Sequence, residues 1–215
     1  RVSIRLETIQ VGPLGENVYL VQSDDTAFLV DPGDEAERIL DLLYTSGICP
    51  QFIVLTHGHL DHSSGLPKLL KQWKGRLPRI AIHSLDAPYL GAAGEATNRR
   101  LFEGLNALSY FRYAWKALPE PDILLNEGDA IPATNFSVLH TPGHSAGSIC
   151  LYSPRDSVLI SGDTLFRDGI GRTDGVDSDY RALRESLRKL SKLPPETRVY
   201  PGHGEATTIG EELGT

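Results

Sequence analysis

The stretch Gln51-Phe-Ile-Val-Leu-Thr-His-Gly-His-Leu-Asp-His-Ser-Ser-Gly-Leu-Pro67 decides how the rest of the chain is read. Its apolar start, Phe52-Ile53-Val54-Leu55, is rich in β-branched and aromatic side chains and predicts a buried strand. The strand empties into four potential metal ligands within six residues, His57, His59, Asp61 and His62. In extended backbone, residues two apart leave the same side of the chain, so His57 and His59 can chelate one ion, and Gly58 lets the backbone approach it. Asp61 keeps that alternation and His62 breaks it, which suits a second ion beside the first. Two ions roughly 3.5–4 Å apart form a hydrolytic centre. Chance scatter of histidines is a poor account, because the chain has seven and three of them stand here.

Composition narrows the setting. A chain of 215 residues can bury one substantial core, and no Gly/Ser-rich or Pro-rich linker divides it, so residues 1–215 are read as a single domain. The 21 basic and 28 acidic side chains leave a net charge of −7 with no basic stripe, which argues against a nucleic-acid partner. No long apolar run predicts a membrane span, and residues 1–6 read as the start of the fold rather than a leader. A cytoplasmic enzyme with no membrane partner is the expectation, its oligomeric state open. Cys49 and Cys150 are too sparse for a disulfide framework and read as inert thiols.

Outward from the ligand loop, strands are expected over residues 2–6, 17–21 and 27–30, with turns at Gly12-Pro13-Leu14-Gly15 and Ser23-Asp24-Asp25. Asp34 and Glu37 suggest a capping box for a helix with Ile39, Leu40 and Leu43 on one face, closed by Gly47. A helix over about 64–74 and a strand over 79–83 follow. Residues 86–121 break the pattern and read as a helical insertion. Its Tyr110, Phe111, Tyr113 and Trp115 either anchor it to the core or form a lid that faces substrate. Strand patterns resume at Ile123 and over 136–140, 148–152 and 157–161. A helix over 179–193 is stopped by Pro194-Pro195, and a last strand spans 197–200. There is no internal repeat.

Three further strand ends repeat the design of the first: His140-Thr141-Pro142-Gly143-His144, Ser161-Gly162-Asp163-Thr164-Leu165-Phe166, and Tyr200-Pro201-Gly202-His203-Gly204. With the loop from Thr56 to His62 they resemble the metallo-β-lactamase-fold hydrolases, and within these the glyoxalase II-like (hydroxyacylglutathione hydrolase) branch. The resemblance runs from Asn17-Val18-Tyr19-Leu20-Val21 and Val30-Asp31-Pro32-Gly33 to Thr207-Thr208-Ile209-Gly210. It implies an α+β fold, a four-layer αββα sandwich with the metals at one edge between the sheets. It also implies a ligand set: His57, His59 and His144 at the first metal, Asp61, His62 and His203 at the second, Asp163 bridging them, with Asp61 and Asp163 as catalytic carboxylates. His140, before the Pro-Gly-His turn, is expected to back the ligands or pack on its strand, and His83 to be structural. Asp31 resembles a family residue that orients the metal loops, although an ordinary turn aspartate fits its place equally. Arg172 stands where the branch presents a basic residue to substrate, or is a surface arginine.

Imidazole and carboxylate donors without thiolate suit two divalent ions, Zn foremost, with Fe or Mn as alternatives. Metal-bound water has a pKa of about 7, so a bridging hydroxide can attack a carbonyl that the cations polarise. A thiolate, whose acid has a pKa of about 8.5, then leaves without a strong general acid. Hydrolysis of a small-molecule thioester such as a hydroxyacylglutathione is the expected reaction. Full glyoxalase II enzymes add a C-terminal helical domain that helps grip glutathione and a tyrosine after the last ligand. Here Gly204-Glu205 follow His203 and the sequence stops at Thr215, so no separate C-terminal glutathione-binding domain is expected. Three alternatives stand beside this reading. Gly171-Arg172-Thr173-Asp174 resembles a mononuclear iron persulfide dioxygenase, another ester, lactone or β-lactam could be the substrate, and a non-catalytic metal-binding module would be expected to lack a ligand.

Overall fold

The structure, a computed structural model, describes residues 4–214. Apolar residues alternate along the first strands with a period of two, yet both sets are buried, so this sheet must be covered on both faces. In β2 (Glu16–Ser23), Val18 and Leu20 face one core and Tyr19 and Val21 the other. The same division holds for Leu29 against Phe28 and Val30 in β3 (Thr26–Val30), and for Ile53 against Val54 in β4 (Phe52–Val54). With β1 (Ile4–Val11), β5 (Arg79–His83) and β6 (Ile123–Leu125) they form a six-stranded sheet in the order β1-β2-β3-β4-β5-β6.

Its outer face packs on α1 (Ala36–Ser46), α2 (Leu66–Gln72), α3 (Gly94–Gly104) and α4 (Leu108–Ala114) through Ile39, Leu69, Leu101 and Phe111. Its inner face meets a second sheet, in which Ile149 and Leu151 of β8 (Ile149–Ser153) and Val158 and Ile160 of β9 (Val158–Gly162) point inward. That sheet runs β13-β12-β9-β8-β7, with β7 at Ser137–His140, β12 at Arg198–Pro201 and β13 at Thr207–Thr208. Cys150, Leu159 and Val199 face outward onto α5 (Tyr180–Leu190) and α6 (Ile209–Leu213). The layers are therefore αββα, and the α+β expectation holds. No helix among the described residues is long and apolar enough to cross a membrane.

Strand direction gathers the ligand loops. β3, β4 and β5 are parallel, as are β9 and β12, and the β7–β8 hairpin turns at the same end. The segments after β3, β4, β9 and β12 and the turn before β8 therefore meet along one edge between the sheets.

Some local expectations fail. The first strand runs to Val11 because its pairing with β2 continues to Glu16; residues 2 and 3 of the expected span lie outside the described residues. The capping box does not form. Glu35 takes the N-cap position in a left-handed conformation (φ 52°) with no side-chain cap, and its carboxylate accepts from Gly12 N instead. Glu37 pairs with Lys68. The short hairpin of β10 (Leu165–Phe166) and β11 (Gly169–Ile170) was not expected, since two-residue strands leave no periodicity to read. At the other end of the pattern, α5 is well signalled: Asp179 accepts from Ala182 N at 3.1 Å, and Arg188 and Lys189 sit in the last turn against the helix dipole.

Candidate metal centre

β4 ends at Val54, the chain bends at Thr56 and His57, and after an extended His59 (ψ 140°) it closes into a 3₁₀ turn over Leu60–His62. That turn corrects the simple alternation read from the sequence. It carries Asp61 and His62 together away from His57 and His59, giving two groups of converging donor atoms: His57, His59 and His144, and Asp61, His62, Asp163 and His203. Within each group the atoms lie within 4.8 Å of one another.

His59 Nδ1 faces His144 Nε2 at 3.1 Å, and His62 Nε2 faces His203 Nε2 at 3.3 Å. Asp163 lies between the groups. Its Oδ2 is 3.4 Å from His144 Nε2, 3.8 Å from His57 Nε2 and 3.5 Å from His203 Nε2, and its Oδ1 is 3.2 Å from His62 Nε2. Asp61 Oδ2 sits 3.2 Å from His203 and 3.4 Å from His62. The buried His57 Nε2 and Asp163 Oδ1 have no hydrogen-bond partner in the protein. Orphaned buried donor atoms aimed at one space, all imidazole nitrogen or carboxylate oxygen, fit divalent cations.

Behind the donors stands a fixed set of partners. Asp31, held at a left-handed φ of 53°, accepts from Thr56 N (2.8 Å) and Thr56 Oγ1 (2.6 Å), and its Oδ2 lies 2.8 Å from His62 Nδ1. Thr56 Oγ1 in turn meets His57 Nδ1 at 3.1 Å. One aspartate thus steers a ring in each group, so here it does more than close a turn. His144 Nδ1 donates to the Arg172 carbonyl at 2.9 Å, and His203 Nδ1 to the Leu14 carbonyl at 3.2 Å. His140 touches no ligand. It stacks on His83 (4.1 Å, 15°) and its Nε2 reaches Ala146 O at 2.9 Å, within the loop that carries His144.

The charges follow from burial and proximity. Burial pushes the carboxyls of Asp61 and Asp163 up, but His62 and His203 beside them outweigh it and hold both well below the usual range. Burial alone works against a charged His62, yet Asp163, Asp61 and Asp31 carry it well above an ordinary imidazole. Burial and the neighbouring His62 keep His57 well below.

Sequence reasoning passed over three carboxylates. Asp177 Oδ2 lies 2.7 Å from His59 Nε2 and also accepts from Tyr89 OH, which leaves His59 Nδ1 free to face the centre. It stands in a run with Asp174 and Asp179, and nothing in the spacing says which one turns inward. Asp86 accepts from Gly58 N (2.8 Å), Ser145 Oγ (2.8 Å) and Gly147 N (2.7 Å), joining two ligand loops. Glu16 is buried behind His62, 3.6 Å from its Nδ1, and burial drives its carboxyl well up. Gly58 needs its missing side chain for a different reason from the one expected: a Cβ there would come within 2.4 Å of Tyr89, not of an ion. Gly202 does serve the centre, since its Cβ would stand 2.3 Å from Asp163 Oδ1.

A cleft of about 420 Å³ opens over the donors. Arg172 lines it, with its guanidinium donating to both oxygens of Asp174 at 2.6 Å. Tyr110, Phe111, Tyr113 and Trp115 of the 86–121 segment do not line it. Phe111 is buried and stacked on Trp115, and Tyr113 points to Asp34, while Leu101, Phe102 and Leu105 of the preceding helix face the cleft.

Known proteins resemble this chain in sequence and fold. The hydroxyacylglutathione hydrolase GloC of Haemophilus influenzae is 34% identical over 97% of this chain and 95% of its own length. The structure of TTHA1623 in a di-iron-bound form is 38% identical with a TM-score of 0.78, covering 95% of this chain and 96% of that one. The BLEG-1 B3 metallo-beta-lactamase is 33% identical with a TM-score of 0.84, covering 98% and 97%. A sequence model of the metallo-beta-lactamase superfamily matches residues 11–203, and the chain belongs to that superfamily.

Proposed function

We propose that the protein is a cytoplasmic dinuclear metal hydrolase that cleaves small thioesters, a hydroxyacylglutathione among them, with zinc as its leading ion. The observation that carries this reading is Asp163, one carboxylate within 3.8 Å of histidines from both donor groups, at the floor of a cleft. His57, His59 and His144 would hold one ion, Asp61, His62 and His203 the other, with Asp163 common to both. Two divalent ions there supply an acidified water and an electrophile for the acyl carbonyl. The carboxylates of Asp61 and Asp163 would accept hydrogen bonds from a water in the cleft and aim it at the acyl carbon. Asp31, Asp177 and the Arg172 carbonyl keep the rings in the tautomers that leave the inward nitrogens free. A thiolate leaving group needs no acid from the chain, since its conjugate acid has a pKa of about 8.5.

Support for the substrate class comes from the hydroxyacylglutathione hydrolase relative, and the di-iron relative supports two ions while leaving iron open. The test is loss of thioester absorbance from S-lactoylglutathione by metal-quantified protein, beside Asp163→Ala of preserved fold. Turnover abolished by the substitution is the expected result. No turnover of this or any other thioester by protein with two ions bound would reject the reading. The B3 metallo-beta-lactamase relative favours a second reading, β-lactam hydrolysis, which a chromogenic cephalosporin tests on the same preparation.

A further inference from the structure

The cleft has a polar floor and an apolar wall, and the wall goes unused in the chemistry above. Leu101, Phe102 and Leu105 come from α3, Leu14 from the β1–β2 turn, and Phe166 and Ile170 from the β10–β11 hairpin. Three separate elements therefore present hydrocarbon to one space. Leu14 and Ile170 are 54% and 44% exposed, and single exposed apolar residues need no explanation. Two of them lining one concave site beside Phe166, whose ring stands 6.1 Å from that of His203, do suggest a ligand surface.

Charge points the same way. Among the described residues that line the cleft, Arg172 is the one arginine or lysine, and Asp174 already takes its guanidinium through two bonds of 2.6 Å. A glutathionyl arm brings two carboxylates, for which this wall offers no donor. Burying them unpaired would cost more than their contacts return. A hydrocarbon chain loses nothing there. Of the two halves of a thioester, the acyl group is the one that can be pure hydrocarbon, since the biological thiols are polar or charged near their sulfur.

We infer that the site prefers thioesters of short to medium unbranched aliphatic acids, with the acyl chain laid against the wall formed by Leu14, Leu101, Phe102, Leu105, Phe166 and Ile170. This rests on the thioesterase reading and narrows it. Water adds across the acyl C–S bond, the carbon taking the oxygen and the sulfur leaving with the electron pair, to give a carboxylate and a thiol with no redox partner. The polar thiol portion stays at the open mouth.

The test holds the thiol constant and varies the acyl group. Acetyl, butanoyl and hexanoyl thioesters of uncharged N-acetylcysteamine are compared with S-lactoylglutathione on the metal-loaded protein. kcat/KM is expected to rise about threefold per methylene. The hexanoyl-to-acetyl ratio is expected to fall at least about threefold in both Leu105→Ser and Ile170→Ser, each a change to a side chain that is not fully buried. A flat chain-length series, a tenfold preference for S-lactoylglutathione over the hexanoyl thioester, or an unchanged ratio in both variants would overturn the inference alone. No turnover of any thioester would overturn the thioesterase reading, and this inference with it.

Discussion

The two donor groups are unequal. His57, His59 and His144 are all buried, each pinned from behind by Thr56, Asp177 or the Arg172 carbonyl, and they bring no carboxylate of their own. The other group brings Asp61 and Asp163, and one of its histidines, His203, stands 26% exposed at the cleft. In the first group burial holds His57 and His144 low, while Asp177 outweighs burial at His59 and raises it; in the second, the carboxylates hold protons on His62 and His203 that a cation must displace. The first group is therefore set by orientation and the second by charge.

The largest effect should come from breaking what the groups share. Asp163→Ala is expected to lower thioester turnover by at least on the order of 10³-fold and to reduce bound metal at both positions. Metal quantification beside turnover checks it, and an intact second ion in the variant would show that the groups are separable. Next is the asymmetry itself. Asp177→Ala removes the acceptor behind His59 only, and should weaken the first position about 10- to 100-fold while sparing the second. Asp31→Ala, which removes the partner of His62 directly and that of His57 through Thr56, should weaken both. A two-step cobalt titration followed by absorption distinguishes these outcomes.

A proton measurement sharpens the contrast further. In the metal-free protein burial lowers His203, but Asp163 and Asp61 more than offset it and carry it up to about 9. Its folded value lies above the unfolded value of about 6.5, so its stabilisation is present below pH 6.5 and lost as pH rises through 9. Metal binding must expel that proton. Affinity at the second position, where His62 and His203 are both raised, should therefore rise with pH across this window more steeply than at the first, where burial keeps His57 and His144 low and Asp177 raises His59 alone. Titrations at three pH values decide the matter, and equal slopes would erase the distinction. The smallest effect is expected from His140→Leu. Losing the contact to Ala146 O costs about 0.5–1.5 kcal/mol of stability, read from urea unfolding, and leaves the second position unchanged.

How far these features could be read from sequence depended on how local their causes are. The strand entering His57 and the helix over Tyr180–Leu190 follow from apolar periodicity and a capping aspartate, and the donors announce themselves through Gly and Pro turns at strand ends. The 3₁₀ turn at Leu60 was not legible, because one turn of helix leaves no period. Nor were Asp177, Asp86 and Glu16, whose work depends on partners 118, 28 and 46 positions away, at His59, Gly58 and His62. The left-handed Glu35 defeated the capping box for a similar reason, since its carboxylate answers Gly12 N in the β1–β2 turn and the Arg38 side chain rather than the free N–H groups of its helix.

Asp86 has a consequence for how fast the centre can trade its contents. By holding Gly58, Ser145 and Gly147 at once, it fastens the loop of His57 and His59 to the loop of His144. Neither loop can swing out alone without stripping a buried carboxylate of its partners. An ion held by His57, His59 and His144 would then have to leave through the cleft mouth, and its escape is expected to depend on competing chelator more than on breathing of the fold.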